Sequence, residues 1–262
     1  MTVLLVIVDG LRPDAIHAGP FDTLQSLLRR GAYSLSARTV MPCITLPCHM
    51  SIFHSVPPTR HGVTTNDWQP MARPLPGLVD VARSAGRRCS FFYGWEPLRN
   101  LSQPLSLYSS WFQDVAEDLT VDGDRIIATA AARAIVAERP DFAFVYLGNV
   151  DTAGHQYGWM SDGYLAQVGH VDEVLSEFFD ALGNLSYTLC LQADHGGHDR
   201  HHGLDIPEDM HVPWVLSGPG IAAGRALTTP VSVLDTAPTL ARLLDIKPHP
   251  QWEGRVVEEA WA

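Results

Sequence analysis

The chain has 262 residues, 46% hydrophobic and 18% charged, an ordinary globular composition with enough apolar content for one well-buried core. A formal net charge of −11 argues against a basic surface that would hold nucleic acid in a stable complex. No apolar stretch is long enough to span a bilayer. Cys43, Cys48, Cys89 and Cys190 form neither a Cys-x-x-Cys pair nor a disulfide-dense pattern, so a cytoplasmic location is expected.

In chain order, the apolar run 2–8 leads straight into Asp9-Gly10 and reads as a first strand rather than a leader. Helical spacing follows near 21–30, closed by Gly31. Residues 41–50 read as a loop turning into a helix, with Pro47 suited to the first turn and Thr45 near the cap. Prolines 57, 58, 70, 74 and 76 mark residues 56–76 as loop. A helix near 75–85 ends at Gly86, and a strand is expected at 88–93. Residues 94–121 carry Trp95, Tyr108, Trp111 and Phe112 without periodicity and are a candidate cover over a site. Next come a helix at 123–138 with Asp122 or Gly123 as its cap, and a strand at 142–147 that is apolar on both faces. A helix at 162–182, strands at 186–192 and 212–217, and a helix near 233–245 complete the reading. Such alternation predicts an α/β fold, with a mostly parallel central sheet sandwiched between helices. No repeat or linker divides the chain, so residues 1–262 are expected to form a single domain.

Three strands deliver carboxylates just beyond their C-terminal ends: Asp9, Asp151 with His155 four residues on, and Asp194-His195 followed by Gly196-Gly197. In an open α/β sheet those ends form the ligand crevice. Asp and His converging there are ligands for zinc or a similar divalent ion. An i, i+4 Asp/His pair shares one face of a helical turn, or sits in a tight loop, and can reach one ion; its bland alternative is a capping Asp beside a surface His. The adjacent Asp194 and His195 point apart unless the backbone turns sharply, a turn that the two following glycines would permit. His198, His201, His202 and His211 crowd the next stretch, and some must be bystanders. Thr45 alone would be a helix cap, but at a positive helix end beside a metal its hydroxyl becomes a nucleophile.

The ordered set Asp9-Gly10, Thr45 between Pro42 and Pro47, Asn66, Asp151-x-x-x-His155, Asp194-His195-Gly196 and His202-Gly203 resembles the alkaline phosphatase superfamily. Within it the chain is most similar to the type I phosphodiesterase/nucleotide pyrophosphatase branch, ending in a closing strand at 212–221. The resemblance implies two divalent metal ions, zinc first and manganese as an alternative. Asp151, His155 and His202 would hold one; Asp9, Asp194 and His195 the other, with Thr45 at its open position. His198 or His201 could replace His202. Asn66 would donate to a phosphoryl oxygen, although it could equally be a turn residue. Asp194 and His202 are only eight positions apart, which implies a compact chain with little or no cap. Relatives usually carry Asn where Cys48 stands, so one local contact is expected to differ.

The implied activity is hydrolysis of phosphodiesters or nucleotide pyrophosphates, small-molecule substrates, through a covalent phospho-threonine. A phosphomonoesterase or phosphonate hydrolase is the alternative, and a non-catalytic metal-binding module a third reading. Arg12 is expected to pair with Asp14 rather than bind phosphate. Trp68, Tyr93, Trp95, Tyr157 and Trp159 are candidates for stacking on a base or for packing.

Overall fold

The computed structural model describes residues 1–67, 69–71 and 74–262. Its strands are β1 (Thr2–Val8), β2 (Ala32–Arg38), β3 (Cys89–Tyr93), β4 (Ser109–Phe112), β5 (Phe142–Leu147), β6 (Tyr187–Gln192), β7 (His211–Ser217) and β8 (Arg225–Ala226). Its helices are α1 (Asp22–Arg30), α2 (Thr45–His54), α3 (Pro58–His61), α4 (Leu78–Ser84), α5 (Gly123–Glu138), α6 (Asn149–Tyr157), α7 (Asp162–Leu182), α8 (Pro207–Met210) and α9 (Thr236–Leu243). None of the described helices is long and apolar enough to cross a membrane.

The strands form one eight-stranded sheet in the order β4-β3-β5-β1-β6-β7-β2-β8. Only β7 opposes the rest, pairing antiparallel with both β6 and β2. β1 and β5 are buried along their whole length, as expected of parallel strands covered on both faces. Register decides where function can sit. Val8 lies opposite Leu147 and Ile7 opposite Gln192, so the C-terminal ends of β5, β1 and β6 stand level. The carboxylates that follow these three strands therefore emerge side by side.

Aromatic packing anchors the helix that faces them. Phe53 of α2 meets Phe91 and Phe144 edge-on at 5.4 and 5.0 Å between ring centroids, and Phe91 meets Phe144 at 5.0 Å. Burying each such ring contributes roughly 1.5–3 kcal/mol. The helix is one rigid rod, so locking its C-terminal end also places Thr45 at its start.

Several expectations change in detail. β2 is absent from the sequence reading because its residues, Ala-Tyr-Ser-Leu-Ser-Ala-Arg, mix polar and apolar without a strong pattern; the strand lies near the sheet edge and slips register between Ser34 and Ala37. The segment 94–121 is not a simple cover: it contains a 3-10 helix at Glu96–Leu101 and then the edge strand β4. The proline-rich stretch holds the short α3, started by Pro58. The expected helix at 233–245 is a 3-10 turn followed by α9. Asp122 does cap α5, accepting from the Arg125 N–H.

Candidate active site

Asp9, Asp194 and His195 are sealed under the sheet ends, with side-chain exposures of 1%, 0% and 0%. Asp151 and His155 sit one turn apart on α6, which settles their geometry as helical rather than loop. His155 Nε2 lies 3.4 Å from Asp151 Oδ2, and His202 Nε2 lies 3.8 Å from Asp151 Oδ1. The rings of His195 and His202 stack at 3.8 Å, and His155 stands 5.0 Å from His202. His198 instead turns to Asp209 at 2.7 Å, and His201 is exposed on the surface. Of the three alternatives, His202 is the imidazole that reaches the cluster.

Each of the three imidazoles is oriented from behind. His195 Nδ1 contacts the Gly196 carbonyl, His202 Nδ1 the Cys43 carbonyl and His155 Nδ1 the Arg200 carbonyl, all at 2.9 Å. A carbonyl can only accept, so each Nδ1 carries the proton and each Nε2 presents a lone pair inward. That is how metal-ligating histidines are held. Burial pushes the His202 imidazole down to about 2, which keeps it neutral.

The carboxylates have an unmet need. Asp9 Oδ1, Asp151 Oδ1 and Asp194 Oδ2 are buried with no hydrogen-bond partner among the described residues. Burial, followed by mutual repulsion with Asp194 and Asp151, holds the Asp9 carboxyl well above the usual range, and burial pushes Asp194 up to about 7. Three oxygens of this kind are costly unless a cation joins them. Two trios have ligand atoms within 4.8 Å of one another: Asp9, Asp194 and His195, and Asp151, His195 and His202. The first is the trio the resemblance implied. In the second, His195 stands where His155 was expected, because the stacked ring brings it between the groups; His155 lies at the outer rim. The donor set, carboxylate and neutral imidazole, suits a divalent ion of the zinc type.

Thr45 is the first residue of α2 rather than its cap, and its hydroxyl makes no capping bond. Its Oγ1 instead lies 3.2 Å from His195 Nε2, facing the cluster. Asn66 lines the same cavity; its Oδ1 accepts from the Leu46 N–H at 3.0 Å, leaving Nδ2 as its donor. Gly196 and Gly197 serve space rather than a sharp turn, since neither has a positive φ. A Cβ on Gly196 would come within 2.1 Å of the Glu208 carbonyl, and one on Gly197 within 2.3 Å of the Trp159 indole.

Sequence reasoning missed several supports. Tyr146 donates its hydroxyl to Asp9 Oδ2 at 2.5 Å, and Thr39 donates to the Asp194 carbonyl at 2.5 Å. Tyr146 lies inside an all-apolar strand and looked like core, so only its place near the strand end could have flagged it. His49 is fully buried, donating from Nδ1 to the Thr45 carbonyl at 2.8 Å, one helical turn back. Cys48 is buried with its sulfur 3.2 Å from Thr39 Oγ1. Trp159 is a packing residue: its N–H donates to the Gly10 carbonyl, and its ring supports His155 at 5.1 Å and His202 at 5.9 Å. Tyr93 packs on Phe112, Tyr157 is exposed, and Trp68 lies outside the described residues. Arg12 pairs with Asp14 as expected. Among the described candidate aromatics only Trp95 lines the site, in a cavity of about 270 Å³ shared with Glu117 and Tyr146. A larger cavity of about 640 Å³, beside Met50 and Tyr108, carries no carboxylate or imidazole among the described residues. Size does not select the chemistry here.

Comparisons with known proteins bear on the family and the fold. The family described as type I phosphodiesterase/nucleotide pyrophosphatase matches residues 3–213. Human ectonucleotide pyrophosphatase/phosphodiesterase family member 1 is 27% identical over 216 residues, covering 74% of this chain and 23% of that protein. The rat protein is 26% identical over the same length, with 24% of it covered. The chain thus spans about a quarter of the length of these curated relatives. Murine ectonucleotide pyrophosphatase/phosphodiesterase 5, solved in an inactive form with AMP, superposes with a TM-score of 0.85 at 14% identity, covering all of both chains. The phosphonate monoester hydrolase of Agrobacterium radiobacter gives 0.75 at 16% identity, covering 99% of this chain and 77% of that one. The level strand ends, the inward-facing imidazoles and a match over most of the sequence converge: this chain belongs to the type I phosphodiesterase/nucleotide pyrophosphatase family.

Proposed function

We propose that residues 1–262 act as one catalytic domain that hydrolyses phosphodiesters or nucleotide pyrophosphates through a phospho-threonine on Thr45. The observation that carries this reading is the Thr45 hydroxyl, 3.2 Å from His195 Nε2 and facing three orphaned carboxylate oxygens. Asp9, Asp194 and His195 would hold one divalent ion, and Asp151, His155 and His202 a second, with zinc preferred and manganese acceptable for this donor set. When bound, such a pair supplies Lewis-acid charge to the attacking and leaving oxygens of an in-line displacement.

The chain's own groups do the rest. Thr45 Oγ bonds to phosphorus as the bond to the departing ester oxygen breaks; the hydroxyl proton passes to solvent and the departing oxygen takes one from water. Water then attacks the phospho-threonine, the phosphorus–Oγ bond breaks, Thr45 regains its proton and a phosphomonoester leaves. Two inversions give net retention at phosphorus. Asn66, braced by the Leu46 N–H, offers Nδ2 to a non-bridging oxygen. Tyr146 keeps Asp9 oriented.

A diester is favoured over a monoester because no Lys or Arg lines the cavity among the described residues, and a dianion needs an extra cation on its free oxygens. The likeness in fold to a phosphonate monoester hydrolase keeps that chemistry as the second reading. The test compares steady-state rates on a bis-aryl phosphodiester and the matching monoester, for the native chain and Thr45→Ala. A monoester preference above about tenfold, equivalent to 1.4 kcal/mol, overturns the diester assignment; activity unchanged by Thr45→Ala overturns the nucleophile and leaves a metal-binding module. All four cysteines are buried free thiols, which supports the expected cytoplasmic location.

A further inference from the structure

We propose that His198 and Asp209 form a buckle that closes the short loop between Gly196 and Leu204 independently of any ion, and that this buckle sets the affinity of the second ion, the one proposed for Asp151, His155 and His202. The inference rests on the two-ion reading above, and it gives a task to a histidine that reaches neither ligand group.

Two of the three ligands in that second group depend on this loop. It carries His202 itself. Its Arg200 carbonyl accepts from His155 Nδ1 at 2.9 Å, and its Asp199 carbonyl accepts from the Trp159 N–H at 2.7 Å. Trp159 is the indole that packs against both rings. A shift of the loop therefore displaces His202 directly and frees His155 together with its support. The carboxylates of the first group are braced elsewhere, Asp9 by Tyr146 and Asp194 by the Gly10 N–H.

The base of the loop is tied by backbone bonds, the Gly196 N–H donating to the Asp209 carbonyl at 2.8 Å and the Gly197 N–H to the Glu208 carbonyl at 2.9 Å. Side-chain chemistry closes the rest. His198 donates from Nδ1 to Asp209 Oδ1 at 2.7 Å, and the Leu204 N–H donates to Asp209 Oδ2 at 2.9 Å. One carboxylate thus grips the loop on its way out and on its way back, on either side of His202. Between the two grips, His198 and His201 exchange backbone bonds at 2.9 and 2.8 Å. Asp209 is wholly inaccessible and lies in α8, directly ahead of β7, so the grip fastens the loop to the sheet. Removing the His198 donor leaves a buried oxygen unmet, and the loop gains by loosening toward water. Ligands already held in place bind an ion more tightly than ligands that binding must first order.

The test uses the full chain, stripped of metal by chelation and then titrated with zinc. In the stripped native chain the amides of Gly196, Gly197 and Leu204 are expected to resist hydrogen exchange before zinc is added. Free exchange there until the second equivalent binds overturns the buckle, because the ion would then organise the loop. Calorimetric titration of His198→Leu is expected to show the first ion bound as in the native chain and the second weakened by about ten- to a hundredfold. His198→Asn, whose amide N–H can stand where the Nδ1–H does, recovers most of that affinity. Melting of each stripped variant checks that it is folded, and the exchange experiment decides the matter if His198→Leu is not. A second ion held as tightly by His198→Leu as by the native chain, or both ions weakened alike, overturns the proposal while diester hydrolysis by the native chain still stands. A native chain that takes up fewer than two ions overturns the two-ion reading and this proposal together.

Discussion

The two halves of the candidate site are chemically alike and physically opposite. Asp9, Asp194 and His195 are almost wholly inaccessible, whereas Asp151 and His155 have side-chain exposures of 16% and 44%. The sealed half lies against Thr45 and is braced by Tyr146, Thr39 and the Gly10 N–H, which donates to Asp194 Oδ1. The open half rides on α6 at the cavity mouth, beside Glu117. An enzyme of the proposed kind needs this asymmetry: a rigid, dry seat for its nucleophile and an accessible one where substrate and water come and go. Removing ligands from the two halves should therefore have different consequences.

The largest effect expected is on the nucleophile itself. Thr45→Ala should lower kcat by at least about a thousandfold with little change in melting temperature, since residual binding alone sustains little catalysis. Chelation should come next, abolishing turnover and lowering the melting temperature by roughly 5–10 °C, with zinc or manganese restoring both. A chelated protein with full activity would remove the basis of the whole comparison. The contrast between halves is sharpened by paired variants: His195→Ala should cost on the order of 2–4 kcal/mol of folding stability, and His155→Ala less than about 1 kcal/mol while still weakening metal binding. Equal stability losses would mean that the halves do not differ as their burial implies. Tyr146→Phe, which keeps the ring and removes the donor to Asp9, should reduce metal affinity or activity by roughly ten- to a hundredfold.

The smallest effect lies behind the open half. Asp124 lies in the first turn of α5 and exchanges bonds with Asn149 at the start of α6, its backbone N–H donating to Asn149 Oδ1 and its Oδ1 accepting from the Asn149 N–H. Burial pushes its carboxyl up to about 7. Because the folded value is raised, the stability contributed by its neutral form is complete below the unfolded value of about 3.9 and is lost as pH rises through about 7. At fixed metal concentration, urea midpoints between pH 5 and 8 should fall more steeply for the native chain than for Asp124→Asn, by on the order of 1–2 kcal/mol across that range. Parallel curves would show that Asp124 stays ionised.

Much of the candidate ligand set was legible in the chain because its signals are local. A carboxylate directly after an apolar run marks a strand end, and Asp151 with His155 has helical spacing whatever surrounds it. What sequence missed is non-local. Tyr146 reads as one more core residue of β5, and nothing local says that its hydroxyl meets Asp9, 137 residues away. Trp95 and Glu117 are 22 residues apart and meet only because β4 returns the chain to the end of β3. The glycines after His195 were assigned to backbone freedom, but their reason is crowding by Glu208 and Trp159, which is visible only once the chain is packed.

Composition, apolar runs and residue order were thus sufficient to determine the α/β class, the positions of most strands and long helices, and the carboxylates and imidazoles that stand just past three strand ends. All of these depend on neighbours within a few positions along the chain. Tertiary structure alone decided the burial of one half of the site, the proton held on each Nδ1 and the three stranded oxygens. Those depend on register between strands and on desolvation, which arise from contacts between segments far apart in the chain.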